Sequence, residues 1–343
     1  MRIDIIGAGI GGLTTAIALE QKGFTVRIFE QAEAMKPVGA GIILAGNAMQ
    51  VYEKLGLKEI IEKQGNAISS MYITKASLEP LSKVDLLYFE KNFNVKSIAI
   101  HRGVLQQILI DKLKTATLHL NYKLKRIHAN KTGYKLEFQN GAHISTPLFI
   151  GADGINSTVR QHLFPNHKIR KANQMCWRGI TEFNLPVKYQ DELNEAWGGL
   201  ERFGFVKIAE KKVYWYASKT IKNSKDKSFS NEIQDYFSHY HTIIKAIISS
   251  TKKEQINITE ISDLKPINNW YKNNICLIGD AAHATTPNMG QGACQAIEDA
   301  YVLAECLEKY DATIAFKTFQ QLRLTKAHRV VKNSWKIGKM AHV

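Results

Sequence analysis

Cysteine is scarce in this chain and too scattered to organise a fold. The four, Cys176, Cys276, Cys294 and Cys306, form no C-x-x-C pair and stand at no metal-ligating spacing with histidine. That excludes a disulfide framework and a zinc site, and it fits a reducing cytoplasm; no metal is expected. No run reaches about 18 consecutive apolar residues, so neither a membrane span nor stable membrane insertion is expected. Residues 5–19 imitate a signal peptide, but Asp4 stands where basic residues belong and glycines thread the run, as in a strand and turn. Internal repeats and low-complexity tracts are missing. Acidic residues are the minority sign, 31 Asp+Glu against 46 Lys+Arg, for a formal net charge of +15. Such an excess favours anionic partners. The densest basic stretch, 219–227, has little aromatic interleaving, which argues against nucleic acid and leaves steering of a phosphate-bearing cofactor.

What is present is ordinary globular material: 45% hydrophobic and 22% charged residues, in a length that calls for two domains or one domain with an inserted lobe. The opening RIDIIGAGIGGLTTAIALEQKGFTVRIFE reads as a strand over 3–6, a glycine turn, a helix to about residue 22 and a strand over 25–29, a complete βαβ unit. Helical spacing runs through NAMQVYEKLGLKEIIEKQG, then gives way to short alternating runs over 68–87. HRGVLQQILIDKL returns to a helix; LKRIHAN, GYKLEFQ and AHIST read as a meander. PLFIGADG is a buried strand entering a turn, with Ser157 as the cap of the next helix. Alternating strands dominate 175–261, followed by the buried strand NICLIGD and two closing helices.

Gly7, Gly9 and Gly12 spell G-x-G-x-x-G between strand and helix. The first permits the tight turn, the second lets backbone approach a pyrophosphate, and the third packs helix on sheet. The helix N-terminus then faces the phosphate with unpaired N–H groups. Glu30, 18 residues after Gly12 at the end of the second strand, is suited to accept hydrogen bonds from ribose hydroxyls. Two further glycine-and-acid turns, GADGINSTVR and GDAAHATTPNMGQG, each follow a buried strand.

In order and position these three motifs resemble the FAD-dependent aromatic hydroxylases, class A flavoprotein monooxygenases of para-hydroxybenzoate hydroxylase type, closest in look to the urate hydroxylase and salicylate hydroxylase-like members. The likeness spans nearly the whole chain. It implies an α/β fold: a Rossmann-like FAD-binding domain over 1–67, 98–172 and 263–343, with an inserted, mostly antiparallel β-sheet substrate lobe over 68–97 and 173–262. It also implies FAD as cofactor, NADH or NADPH as transient reductant, and hydroxylation of a small aromatic or heteroaromatic substrate by O2 through a flavin C4a-hydroperoxide. No second G-x-G-x-x-G appears, in keeping with transient nicotinamide binding.

Carried over motif by motif, the cofactor residues are Gly7, Gly9, Gly11 and Gly12, then Glu30 and Gln31, and Gly41 with Gly39 in VGAGIILAGNAMQVYEKLGL. Arg102 of HRGVLQQIL reaches FAD from a helix start, and Asp153 supports the pyrophosphate region and NAD(P)H use. Gly279 and Asp280 meet the ribitol chain, and Pro287, Gly290 and Gly292 lie beside the isoalloxazine, where a helix N-terminus stabilises negative charge on reduced flavin. Gly46 departs from the pattern, standing where many relatives carry proline, and is read as a looser turn. His283 is read as structural.

On the substrate side, RFGFVKI and VYWYASKT read as paired strands that present Arg202 and Tyr214 as catalytic candidates and Tyr216 as a substrate contact; Trp177 and Arg178 of CWRG are further pocket candidates. An arginine and a phenol suit an anionic or phenolic ring. Members of the same fold also epoxidise alkenes, inactivate tetracyclines or reduce prenyl chains. A non-catalytic flavin binder anchored by the basic terminal helix is disfavoured, because that helix has a short apolar face and one tryptophan, Trp335. No thioredoxin-like domain follows, so the expectation is a small single-component enzyme, monomer or homodimer.

Overall fold

The computed structural model describes residues 1–35, 40–221 and 233–341; Gly39 and the 222–227 part of the basic stretch lie outside the described residues. The fold is mixed α/β and divides into two units, each assembled from separated segments.

The first unit comprises Met1–Lys36, Gln106–Arg170 and Asp263–Ser334. Its six-stranded sheet runs Tyr271–Lys272, Ile275–Leu277, Phe149–Gly151, Arg2–Ile6, Thr25–Phe29, Thr117–His119. All neighbours after the first pair are parallel. Strands covered on both faces must be apolar throughout, which is why Ile3, Ile5, Val26, Ile28, Phe149 and Ile150 are fully buried. Asp4 is the buried charge within the first strand. Arg27 stands opposite it in register and closes a bidentate pair at 2.8 and 2.7 Å. The helix Ile10–Gln21 packs against Gly292–Lys309, and the antiparallel meander Leu124–Asn130, Gly133–Phe138, His143–Thr146 forms as its alternation predicts.

The second unit comprises Pro37–Leu105, Lys171–Ser262 and Trp335–Val343. A seven-stranded sheet runs Asn257–Leu264, Ile169–Glu182, Lys212–Thr220, Glu201–Ala209, Glu192–Trp197, Ser70–Lys75, Pro80–Asp85. It is mostly antiparallel, with Glu192–Trp197 and Ser70–Lys75 parallel. One face packs Trp177, Phe203, Phe205 and Trp215 against Phe237, Ile244 and Ile247 around the helix Thr242–Ser249. A small sheet, Gly41–Leu44, Ser97–His101, Asn66–Ile68, completes the unit. The strands Gly41–Leu44 and Glu192–Trp197 and the helix Leu87–Phe93 are not expected from the sequence pattern. Among the described residues no helix is long and apolar enough to cross a membrane.

Candidate functional site

In the first unit three turns leave the carboxyl ends of adjacent parallel strands. Gly7 follows Arg2–Ile6, Ala152 and Asp153 follow Phe149–Gly151, and Gly279 and Asp280 follow Ile275–Leu277. Glu30 closes the next strand on the other side. Crevices at such strand ends, where the order reverses about the first strand, are where open α/β sheets take ligands.

Contacts between the turns are close. Gly7 has φ +106°, and a Cβ there would collide with the Ala152 carbonyl; one at Gly12 would collide with the Gly7 carbonyl. Only hydrogen fits at either position. A Cβ at Gly11 would lie 3.1 Å from the Ala296 Cβ, and one at Gly279 2.9 Å from the same atom, so one alanine on Gly292–Lys309 backs two turns at once. Gly9 differs, because a Cβ there meets nothing within 4 Å. It is the N-cap of Ile10–Gln21 without a side-chain cap, so the helix start stands open as an anion cradle. Glu30 turns toward this loop: its carboxylate accepts from the Ala8 N–H at 2.7 Å and the Ala32 N–H at 2.9 Å. Gln31 follows it, exposed. Gln106 donates to the Ala8 carbonyl at 3.0 Å and steadies the loop from a third element.

Asp153 is directed into its own turn, accepting from the Ser157 hydroxyl at 2.5 Å and the Val159 N–H at 3.1 Å. Burial raises its carboxyl above the ordinary aspartate range, against the hydrogen bonds from Ser157 and Val159. Ser157 caps the helix as its position predicts. Buried Arg160 donates to the Ala281 carbonyl at 3.1 Å and to the Ile155 carbonyl, stitching the second turn to the third.

Asp280 begins the short helix Asp280–His283 and is exposed. Pro287 opens the 3-10 turn Pro287–Met289, which Gly290 ends at φ +62°. Gly292 then starts a long helix whose N-cap, Gln291, supplies no side-chain cap; a Cβ on Gly292 would be 3.9 Å from an Asp280 carboxylate oxygen. A second open helix start thus stands beside Asp280, able to stabilise negative charge. Behind it, Asp299 accepts from the Gly279 N–H at 3.0 Å and pairs with His283 at 2.5 Å and Arg323 at 2.7 Å. Burial alone would raise the Asp299 carboxyl; His283 and Arg323 more than reverse it, and it lies well below the ordinary range. His283 is therefore occupied structurally.

In the second unit cross-strand register sorts the candidates. Arg178 stands opposite Tyr216, Tyr216 opposite Gly204, and Gly204 opposite Glu195; Arg202 stands opposite Trp197. These side chains share one face with Tyr214. Trp177, adjacent to Arg178 in sequence and expected beside it in the pocket, falls on the other face, in the aromatic core.

The face is a polar network. A side chain at Gly204 would collide with the Tyr216 ring, and across that gap the Tyr216 hydroxyl donates to Glu195 at 2.5 Å. Glu195 also accepts from Trp197 at 2.8 Å and Arg202 at 3.2 Å, while Arg202, 2% exposed, donates to Ser218 at 2.8 Å. Arg202 is thus held inside the sheet. Arg178 donates to Thr259 at 3.0 Å and lies diagonally across the strand pair from Tyr214, on the same face. Burial pushes the Tyr214 phenol up to about 12, and burial together with Glu195 lifts Tyr216 well above its usual value. Both remain neutral donors at pH 7. Gly41 is explained by Tyr214, whose ring occupies the space of any Cβ there. Arg102, exposed, opens Arg102–Lys112 and donates its backbone N–H to the Ala40 carbonyl at 2.9 Å.

Sequence reasoning passed over Gln106, Arg160, Glu195 and Asp299. Arg160 left a signal, being the one cation in the GADGINSTVR turn. Asp299 and Glu195 look like surface charges until their partners are placed.

Comparison with known proteins agrees with this geometry. The model of the FAD binding domain family matches residues 1–334. The aurachin C monooxygenase/isomerase of Stigmatella aurantiaca is 35% identical, over 99% of this chain and 89% of its own. The 2-heptyl-3-hydroxy-4(1H)-quinolone synthase of Pseudomonas aeruginosa is 28% identical, over 99% and 89%. Klebsiella pneumoniae HpxO, solved with FAD and uric acid, superposes with a TM-score of 0.91 at 25% identity, covering 100% of this chain and 89% of that one. The open cradle at Gly9 and the acid-bearing turns fit the adenine dinucleotide, and the chain belongs to the FAD-binding family of aromatic-hydroxylase-type monooxygenases, with FAD as its cofactor.

Proposed function

We propose that the enzyme adds one oxygen atom from O2 to a small nitrogen heteroaromatic bearing a ring oxygen, with NADH or NADPH as transient reductant. Gly7, Gly9, Gly11, Gly12 and Glu30 would hold the adenosine and pyrophosphate end of FAD, with Gln31 and Asp153 shaping the flanking turns. Gly279, Asp280, Pro287, Gly290 and Gly292 would hold the ribitol and ring end. FAD supplies the redox and oxygen-activating chemistry when bound.

The observation that carries the substrate reading is the Arg178–Tyr214 pair on the polar face of the sheet. A guanidinium beside a phenol that keeps its proton can hold a ring oxygen in its anionic form, which leaves the ring electron-rich toward oxygen transfer. Tyr216 would contact the same ring. Arg202, enclosed by Glu195 and Ser218, would act on Tyr216 through Glu195 as a positioning residue. Quinolone and urate, named for the relatives, are both oxygenated nitrogen heterocycles. The four thiols, all free and buried, support a reducing, cytoplasmic setting.

The test is NAD(P)H consumption by the FAD-loaded protein across quinolones, hydroxypyridines and purines, with product mass recorded. The expected result is stimulation by at least one member with a product heavier by one oxygen. NAD(P)H oxidation that never yields an oxygenated product would overturn the reading.

A further inference from the structure

The polar face of the second unit continues into an apolar strip that recognition of a ring does not require. Tyr214 and Tyr216 belong to one hydrophobic cluster whose floor, Val206, Leu193 and Ile68, is buried, while Ile43, Met71 and Leu86 around it are only partly buried. Register carries the strip outward: Leu193 stands opposite Met71, and Met71 opposite Val84 on the edge strand. Leu86 leads directly into the helix Leu87–Phe93, none of whose residues is buried. There Phe89 stacks with Phe93 at 6.5 Å, the two rings 39% and 51% exposed. An exposed apolar run joined to a candidate site is seldom idle.

We infer that this strip receives an aliphatic chain carried by the substrate ring. The substrate is then amphipathic: a heteroaromatic head at Arg178 and Tyr214, and an alkyl or polyprenyl chain over Met71, Ile43, Leu86 and Phe89. Continuity favours this occupant, because the strip begins at the two tyrosines of the substrate face. Met71, an adaptable side chain, suits a chain without fixed shape. An acidic membrane is disfavoured, since Lys83, Lys91 and Lys96 are balanced locally by Glu79, Asp85 and Glu90. A second copy pairing along the edge strand is disfavoured by Pro80, Lys83 and the irregularity at Ile73/Thr74, all of which blunt an edge.

The inference rests on the heteroaromatic reading above, and the experiment separates the two. The FAD-loaded protein is titrated by calorimetry with 4(1H)-quinolones carrying 2-alkyl groups from methyl to heptyl, and turnover is followed on the same series. Binding should tighten about fourfold per added methylene. Phe89→Ser should cut the overall methyl-to-heptyl gain by about tenfold, and Leu86→Ala should cut it less. Affinity independent of chain length, with turnover intact, overturns the inference and leaves the reaction. A steep gain without oxygenated product supports the strip and sinks the reaction. A gain undiminished in both variants, or no binding at all, overturns the strip.

Discussion

Single atoms decide much of this molecule. Gly9 and Gly12 belong to one motif but face different surroundings, which separates binding from folding. Alanine at Gly12 must displace the Gly7 carbonyl, so Gly12→Ala should destabilise the protein by about 1–3 kcal/mol and lose FAD together with fold. Alanine at Gly9 meets open space, so Gly9→Ala should change apoprotein stability by less than about 1 kcal/mol while weakening FAD binding. Denaturant melts and flavin content of purified variants check both. On the polar face of the second unit, Glu195→Gln removes the carboxylate that faces the buried Arg202 guanidinium at 3.2 Å, and should cost about 3 kcal/mol. It also removes the anion that helps hold the Tyr216 phenol protonated, so a phenolate absorbance titration should show one tyrosine ionising at lower pH than in the parent. Tyr214 works in the alkaline range. Its folded pKa of about 12 exceeds the unfolded value near 10, so its stabilisation is complete below about pH 10 and is lost as pH rises toward 12.

At the scale of elements, Asp299 ties the helix Gly292–Lys309 to the terminal helix Ala312–Met340 through Arg323, and to the third turn through His283 and the Gly279 N–H. Asp299→Ala takes one of the two carboxylates from Arg323, which keeps Glu298, and leaves the buried Gly279 N–H without its acceptor; it should cost about 1–3 kcal/mol. Because the folded carboxyl sits below its unfolded value, the stabilisation holds above about pH 4 and falls away as pH drops through the folded pKa. An acid melt of the parent should show this loss, and the variant should lack it. The elements most legible in the sequence were those with one clean period or a forced turn: the βαβ opening, the meander and the three glycine-acid turns. Glu192–Trp197 was hidden because each face mixes polar and apolar groups, Leu193 with Glu195 on one and Asn194 with Ala196 on the other, so no alternation survives. Asp299 is hidden for another reason. On a helix it resembles a solvated charge, and only its partners, 16 and 24 residues away, show otherwise.

At the scale of the whole molecule, the family and the cofactor follow from turns that lie far apart in sequence and meet at the ends of four neighbouring strands. The substrate face was less legible, because a strand sends sequence neighbours to opposite sides: Arg178 joins Tyr214 while Trp177 enters the core. Arg202 was visible as an arginine on a strand, but its engagement by Glu195 depends on cross-strand pairing that the sequence does not display. We propose that one crevice, floored by the glycine loop and walled by Glu30, Asp153 and Asp280, receives the dinucleotide. A crystal structure of the FAD-loaded protein tests it most directly. The pyrophosphate should lie at the open start of Ile10–Gln21, with Glu30 within hydrogen-bond reach of the ribose and Asp280 on the ribitol chain. FAD bound elsewhere, with those carboxylates facing only solvent, would contradict it.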